Sequence, residues 1–175
     1  WIALWSYKSG GKSQMPITIR TIVGRGWGQG PQHSKSLHSW FAHLPGLSVV
    51  YPSSPYEAKG LMLSSLFSNF PTIFFESRAL HSMKEEVPTT PYFLDPTKAF
   101  LRNKGSDLTI VSFGPSVKNA IEVSHLLKLQ KNISCEVIDL RSVNPIDEKT
   151  VIKSVKKTKN LCLIEHGWPI ASISS

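Results

Sequence analysis

Four glycines at alternate positions, Gly24, Gly26, Gly28 and Gly30, run into Pro31, Gln32 and His33. Glycine reaches backbone dihedrals closed to other residues and lets a ligand approach the main chain. A histidine at the exit of such a loop can meet that ligand, and a side chain with an ordinary pKa of ~6.5 can give or take a proton near neutral pH. The spacing excludes two common glycine motifs. A dinucleotide fingerprint needs G-x-G-x-x-G and an acid about 20 residues further on. Here position 29 is Gln, and the stretch 44–50 (LPGLSVV) carries no acid. A Walker A loop ends in GK[ST] after earlier glycines, and Gly11-Lys12-Ser13 lacks that preceding spacing. From the residues alone two roles stay open for His33: a ligand contact, or a polar side chain that satisfies loop backbone groups.

Other candidates point to structure. His33, His38 and His43 are five apart, which turns about 140° per step on a helix, so they share no face and make no zinc site. His38 and His43 are expected as surface or packing residues. Glu76 ends an apolar run next to Arg78 and is expected to pair with that or another base, although ligands of open α/β sheets do bind beyond such strand ends. Asp139 and Arg141 flank another strand end and are expected as an ion pair. No G-x-S-x-G elbow or Ser-His-Asp order supports hydrolysis.

The elements that must position these residues follow from periodicity. Residues 1–7 form the end of a helix, and 9–12 a turn. Alternation of β-branched and polar residues predicts a strand over 16–23. A helix follows over 34–44, with Leu37, Trp40, Phe41 and Leu44 on one apolar face. A strand over 47–51 leads to Ser54, Pro55 and Glu57, the cap, first-turn proline and third-position acid of a capping box. That helix runs to about residue 69 with Ala58, Leu61, Met62, Ser65 and Leu66 inward. The run 71–76 is nearly all apolar, as suits a strand buried on both faces. Pro88, Pro91 and Pro96 then mark residues 79–103 as a linker with some extended structure. A second unit over 104–175 alternates strand 107–113, helix 115–131, strand 135–140, helix 147–159 and strand 161–165. Its helices turn Val117, Ala120, Ile121 and Leu127, then Val151, Ile152 and Val155, inward. The class is α/β, with parallel sheets and right-handed crossovers, and the first unit spans 1–78.

Bulk properties narrow the partners. A chain of 175 residues, 41% hydrophobic, can bury one good core or two small ones. Its charge of +8 comes from scattered lysines, and KTVIKSVKKTK fits the outer face of a helix. No nucleic-acid partner is expected. Cys135 and Cys162 lie in apolar strand-like runs and are expected as buried thiols in a reducing compartment. No apolar run approaches the ~18 residues of a membrane span, and no signal peptide is recognisable, so no membrane partner and a cytoplasmic location are expected. No acid precedes Glu57, and the sequence opens at Trp1. Both lead to the expectation of a fragment that lacks an N-terminal part and is cut short at its end.

The run GWGQGPQHSKSLHSWFAHLPGLSVVYPSSPYEAKGLMLSSLF, with PTIFFESRAL, DLTIVSFGPSVKNAIEVSHLL and CEVIDLRSVNPIDEKTVIKSVKKTKNLCLIEHGW after it, resembles a known family. It is similar to the beta subunit of the thiamine diphosphate-dependent 2-oxo acid dehydrogenases, the decarboxylating first component of the pyruvate and branched-chain complexes. The resemblance covers nearly the whole chain. GPQHS, PGLxVVxPSxPxxAKGL and EVIDLRSxxPxD carry it together.

The resemblance implies the later part of a three-layer α/β/α pyrimidine-binding domain with a parallel sheet, followed by a transketolase C-terminal-type α/β/α domain. It implies thiamine diphosphate, oxidative decarboxylation of a pyruvate-like or branched-chain 2-oxo acid, and acyl transfer to a lipoyl group of an acyltransferase core. It places the family's active-site histidine on His33, with Gly30 and Gln32 beside it as cofactor-binding residues. It implies an alpha subunit in an alpha2-beta2 assembly that holds the magnesium and diphosphate, so no metal ligands are assigned here. Three positions depart from the pattern. No glutamate upstream of His33 is present to activate the aminopyrimidine. Ser68 and Phe70 stand where some members hold potassium with an aspartate and an asparagine. His81 stands where a tyrosine is usual. The isolated chain is therefore expected to be inactive. A transketolase or deoxyxylulose-phosphate-synthase-like enzyme, or a homologue that has lost activity, are the alternatives.

Overall fold

The computed structural model describes residues 1–24 and 28–174. Two four-stranded sheets organise it, both mainly parallel. In the first, β1 (Thr18–Val23) and β2 (Ser48–Val50) flank β3 (Thr72–Ser77), and both run parallel to it. The TIFFES sequence suits this central place: all but one of its residues are buried. Between β1 and β2 the chain makes two short helices, α2 (Gly30–His33) and α3 (His38–Ala42), after a first short helix α1 (Trp5–Lys8). Between β2 and β3 it makes α4 (Pro55–Leu66). Ser54 caps α4 by accepting from the Glu57 N–H at 3.3 Å, and Pro55 opens the first turn.

The second sheet has the order β4-β6-β5-β8. Strands β5 (Leu108–Ser112), β6 (Cys135–Asp139) and β8 (Leu161–Ile164) are parallel, linked by α5 (Ser116–Lys131) and α6 (Glu148–Thr158). Both helices end in a left-handed residue, Asn132 and Lys159, which turns the chain back toward the sheet. Asp147 caps α6 by accepting from the Thr150 N–H at 3.2 Å.

The two sheets are joined in ways that periodicity does not show. Strand β7 (Ser142–Asn144), which follows β6 directly, crosses to the first sheet and pairs antiparallel with β2. One apolar core, with Val49, Tyr51, Ile73 and Phe75 on one side and Val111, Phe113, Ile138 and Leu140 on the other, runs through both. Each such side chain, fully buried, contributes roughly 1.5–3 kcal/mol. The stretch 79–103 is packed rather than loose. Tyr92 stacks on Tyr56 with ring centres 4.6 Å apart and donates to the Tyr56 carbonyl at 2.8 Å. Its last four residues form β4 (Phe100–Asn103), antiparallel to β6.

Several expectations change. The helix over 34–44 is shorter, confined to His38–Ala42, and the residue it buries is His38, while Trp40 is 72% exposed. The His38 ring packs among Tyr51, Phe75 and Phe113. Helix α4 stops at Leu66, and Leu66 and Phe67 are exposed. On α6 Ile152 is half exposed. The buried positions there are Ser154 and Thr158, whose hydroxyls each lie 2.7 Å from Thr109 Oγ1 on β5. A polar strand residue thus selects a polar helix face. Cys135 is buried, but Cys162 is exposed, because β8 is a sheet edge.

Candidate functional site

Strand β1 delivers the glycine loop at its carboxyl end, beside the end of β3. Gly24 has φ of +103°, and a Cβ there would sit 3.2 Å from Ser77 Oγ. Its N–H donates to the Lys35 carbonyl at 3.4 Å, which closes the loop at its base. Gly26 lies outside the described residues. Gly28 and Gly30 have φ of +66° and +70°, and a Cβ at either meets nothing within 4 Å. Glycine is needed there for the dihedral, and the space beside the backbone is open.

Gly30, Gln32 and His33 come together on α2, a single turn with Pro31 near its start and the Ser34 hydroxyl donating to the Gly30 carbonyl at 2.9 Å. All three are exposed. His33 ends this turn, whereas a loop position ahead of a longer helix was expected. The group forms an uncovered wall: backbone with positive φ, an amide and an imidazole, all facing away from the chain's own core.

Behind this wall lies a second, buried constellation. The His38 ring is 1% exposed and is packed edge-on to Phe113 (centres 5.0 Å) and Phe75 (6.5 Å). Tyr51 lies against it at 6.1 Å. His38 Nε2 is 3.3 Å from Glu165 Oε2, and Nδ1 has no hydrogen-bond partner among the described residues. Burial pushes the imidazole below its ordinary pKa, against the pull of Glu165. The neutral ring therefore donates Nε2–H to the carboxylate. Glu165 is desolvated too, but hydroxyls of Ser172 and Ser174, the Ser174 N–H and His38 together hold its carboxyl below the usual range. Burial raises the Tyr51 hydroxyl to about 12, against a hydrogen bond with Ser77.

A third cluster ties the two sheets by charge. Glu57 is fully buried, with Arg102 Nη2 and Arg141 Nη2 each 3.0 Å from Oε1. Arg141 Nε is 2.7 Å from Glu57 Oε2, an electrostatic contact in which neither atom has hydrogen-bond geometry. Arg102 also donates to Asp139 Oδ2 at 2.7 Å and to Ser53 Oγ at 2.8 Å, and Ser53 donates to Asp139. Both guanidiniums lie over the Phe100 ring, 4.8 and 4.9 Å from its centre. Asp139 and Arg141 therefore do not form the expected ion pair with each other. The Asp139 carboxylate instead accepts from the Arg141 main-chain N–H at 3.0 Å, and each side chain finds a partner from elsewhere. Glu57 likewise serves as more than a capping acid. Glu76 takes Arg20 of the neighbouring strand, in a two-bond pair at 2.6 and 3.0 Å.

Sequence reasoning did not find His38, Tyr51, Glu165 or Arg102 as members of clusters. Asp139 and Arg141 carried a signal as charged residues flanking the end of an apolar run, and Glu57 as the acid of a capping box. Among the described residues, no group of three or more His, Cys, Asp or Glu could hold a metal ion, and no helix is long and apolar enough to cross a membrane.

Comparison with known proteins places this arrangement. Residues 1–83 match the pyrimidine-binding domain of transketolase, and residues 97–175 match its C-terminal domain. The chain is 40% identical over 173 residues to the beta subunit of acetoin:2,6-dichlorophenolindophenol oxidoreductase of Bacillus subtilis, covering 99% of this chain and 50% of that protein. It is 39% identical over 175 residues to the beta subunit of the pyruvate dehydrogenase E1 component of Staphylococcus epidermidis, covering 99% and 54%. The chain thus spans about half the length of these curated relatives. A solved split-gene transketolase, described as an inactive beta4 tetramer, shares the fold, with a TM-score of 0.77 at 21% identity over 90% of this chain and 50% of that one. The chain therefore carries the two domains of the transketolase family, a pyrimidine-binding domain followed by a C-terminal domain, and is similar along its length to beta subunits of pyruvate dehydrogenase and acetoin oxidoreductase.

Proposed function

We propose that this chain supplies the beta-side wall of a thiamine diphosphate site in the first component of a 2-oxo acid dehydrogenase. The observation that carries it is the exposed turn Gly30–His33 at the carboxyl end of a parallel sheet, within a chain related along its length to such beta subunits. Crevices beyond that sheet edge are where open α/β folds take ligands.

The residues present fit such a group as one side of a shared site. Gly28 and Gly30 leave the backbone open to close approach. Gln32 and His33 offer an exposed amide and an exposed imidazole. When bound, thiamine diphosphate supplies the electron sink for loss of carbon dioxide from a 2-oxo acid. Gly30 and Gln32 hold and orient that group by main-chain and amide contacts. His33 gives or takes a proton at an imidazole nitrogen, a role that suits its open position beside the ligand. The alpha subunit, in an alpha2-beta2 assembly, holds the diphosphate and magnesium. The chemistry this group would supply feeds a lipoyl acyltransferase core as partner, in the cytoplasm.

The domain division of this reading is 1–78, a linker over 79–103, and 104–175. The test is His33→Ala in the complete beta subunit purified with its alpha partner. Overall dehydrogenase turnover should fall by about 10²-fold or more, as for loss of a general acid–base group. Full turnover in that variant would remove His33 from the chemistry.

A further inference from the structure

We infer that Glu165 and His38 are a positioning pair, through which the C-terminal unit sets the pose of the His33-bearing turn; this rests on reading His33 as a cofactor-facing group. Among the described residues, the Ser34 hydroxyl braces the turn by donating to the Gly30 carbonyl. Its residues 30–33 are exposed, and only residues 34–37 separate it from α3. Where α3 begins therefore decides where α2 stands. That beginning is His38, and its ring is held on every side. Phe113 and Phe75 meet it edge-on, Tyr51 lies alongside, and Nε2 donates to Glu165. Gly167 closes the seat: a Cβ there would come within 2.9 Å of the ring.

The anchor belongs to the second unit. Glu165 follows β8, and its other oxygen accepts from the Ser174 N–H at 3.2 Å and the Ser174 hydroxyl at 2.6 Å. The root of the glycine loop leads to the same place. Gly24 packs on Ser77, Ser77 bonds the Tyr51 hydroxyl, and the Tyr51 ring touches His38. Both ends of the histidine loop thus rest on one buried knot, and Glu165 is its charged member. The titratable groups that face His38 are Glu165 and Tyr51; Phe75 and Phe113 bring no charge. Burial that keeps His38 neutral also keeps it a one-proton donor to Glu165, with no proton on the unpartnered Nδ1.

The test uses the complete beta subunit with its alpha partner and three variants: Glu165→Gln, His38→Gln and the double. Each single variant should lower kcat by about tenfold to a hundredfold, the cost of a misplaced group, with KM for the 2-oxo acid within about twofold of the parent. The double should be no slower than the worse single variant, as expected for residues acting as one unit. An independent reading comes from the imidazole resonances of His33, assigned through His33→Gln. In folded Glu165→Gln they should shift, although the substitution lies more than a hundred residues from the turn along the chain. Unchanged His33 resonances in folded variants would overturn the pairing, as would kcat losses that multiply in the double. If His33→Ala proves fully active, the catalytic reading fails, and the resonance experiment still decides whether the pair positions the turn.

Discussion

His33 and His38 stand five residues apart and occupy opposite environments. The first ends an exposed turn. The second is sealed among three aromatic rings and bonded to a carboxylate from the far end of the chain. An exposed imidazole is free to serve a ligand or a partner surface, and it contributes little to folding. A buried imidazole whose orientation is fixed by packing and a carboxylate suits a structural or positioning role. The same contrast holds for charge. Glu57 is buried between two guanidiniums at the junction of the sheets, while the lysines of α6 face solvent on 149, 153 and 156.

The contrast can be broken at its strongest point first. Replacing Glu57 with Ala leaves Arg102 and Arg141 facing each other across a buried space. Removing one partner of a buried pair costs about 3–5 kcal/mol, readable as a lowered urea midpoint. A loss under ~1 kcal/mol would show that the junction is held by the shared apolar core alone. The next effect is Gly167→Ala, which drives a methyl into the His38 ring. Overpacking of this kind costs about 1–3 kcal/mol, and the change should also disturb the His38–Glu165 bond, seen as a shift of the His38 ring signals.

Acid should separate the two histidines. His38 has a folded pKa below its ordinary 6.5, so the unfolded chain binds its proton first. Stability from this group is fully present above about 6.5 and is lost as pH falls through the folded pKa. Glu165, also lowered from 4.5, loses its contribution only at still lower pH. The thermal midpoint should therefore drop between neutral pH and about pH 5, and the His38→Gln variant should show a shallower drop. An identical slope in that variant would place the acid sensitivity elsewhere. The smallest effect on folding belongs to His33→Ala, expected within about 0.5 kcal/mol of the parent. A larger loss in the urea midpoint would mean that the turn carries structural weight of its own.

Much of the frame was legible. The capping box at Ser54 and Glu57, the buried run of β3, and the strands and helices of the second unit all appear where local pattern puts them. Local rules act within a few residues, and these elements obey them. The helix over 34–44 was drawn too long because an i, i+3, i+4 pattern of Leu37, Trp40, Phe41 and Leu44 ignores what the neighbouring surface can accept. The residue that meets the rings of Tyr51, Phe75 and Phe113 is His38. Ile152 was placed inward by the same rule, but Thr109 on the facing strand called for Ser154 and Thr158 instead. For the candidate site, Gly30, Gln32 and His33 were visible as a motif. His38–Glu165 was not, since 127 residues separate the partners and neither has a local pattern that marks it.

The amino-acid sequence by itself determined the α/β alternation, the caps, the glycine-rich turn and the imidazole it presents. These depend on dihedral preference, periodicity and short-range hydrogen bonds, all of which act between near neighbours. Tertiary structure alone decided that β7 joins the first sheet, that Glu57 meets Arg102 and Arg141, and that His38 rather than Trp40 faces the core. Those outcomes depend on burying charge and ring area at long range, where a polar group is tolerated only if a distant partner arrives to satisfy it.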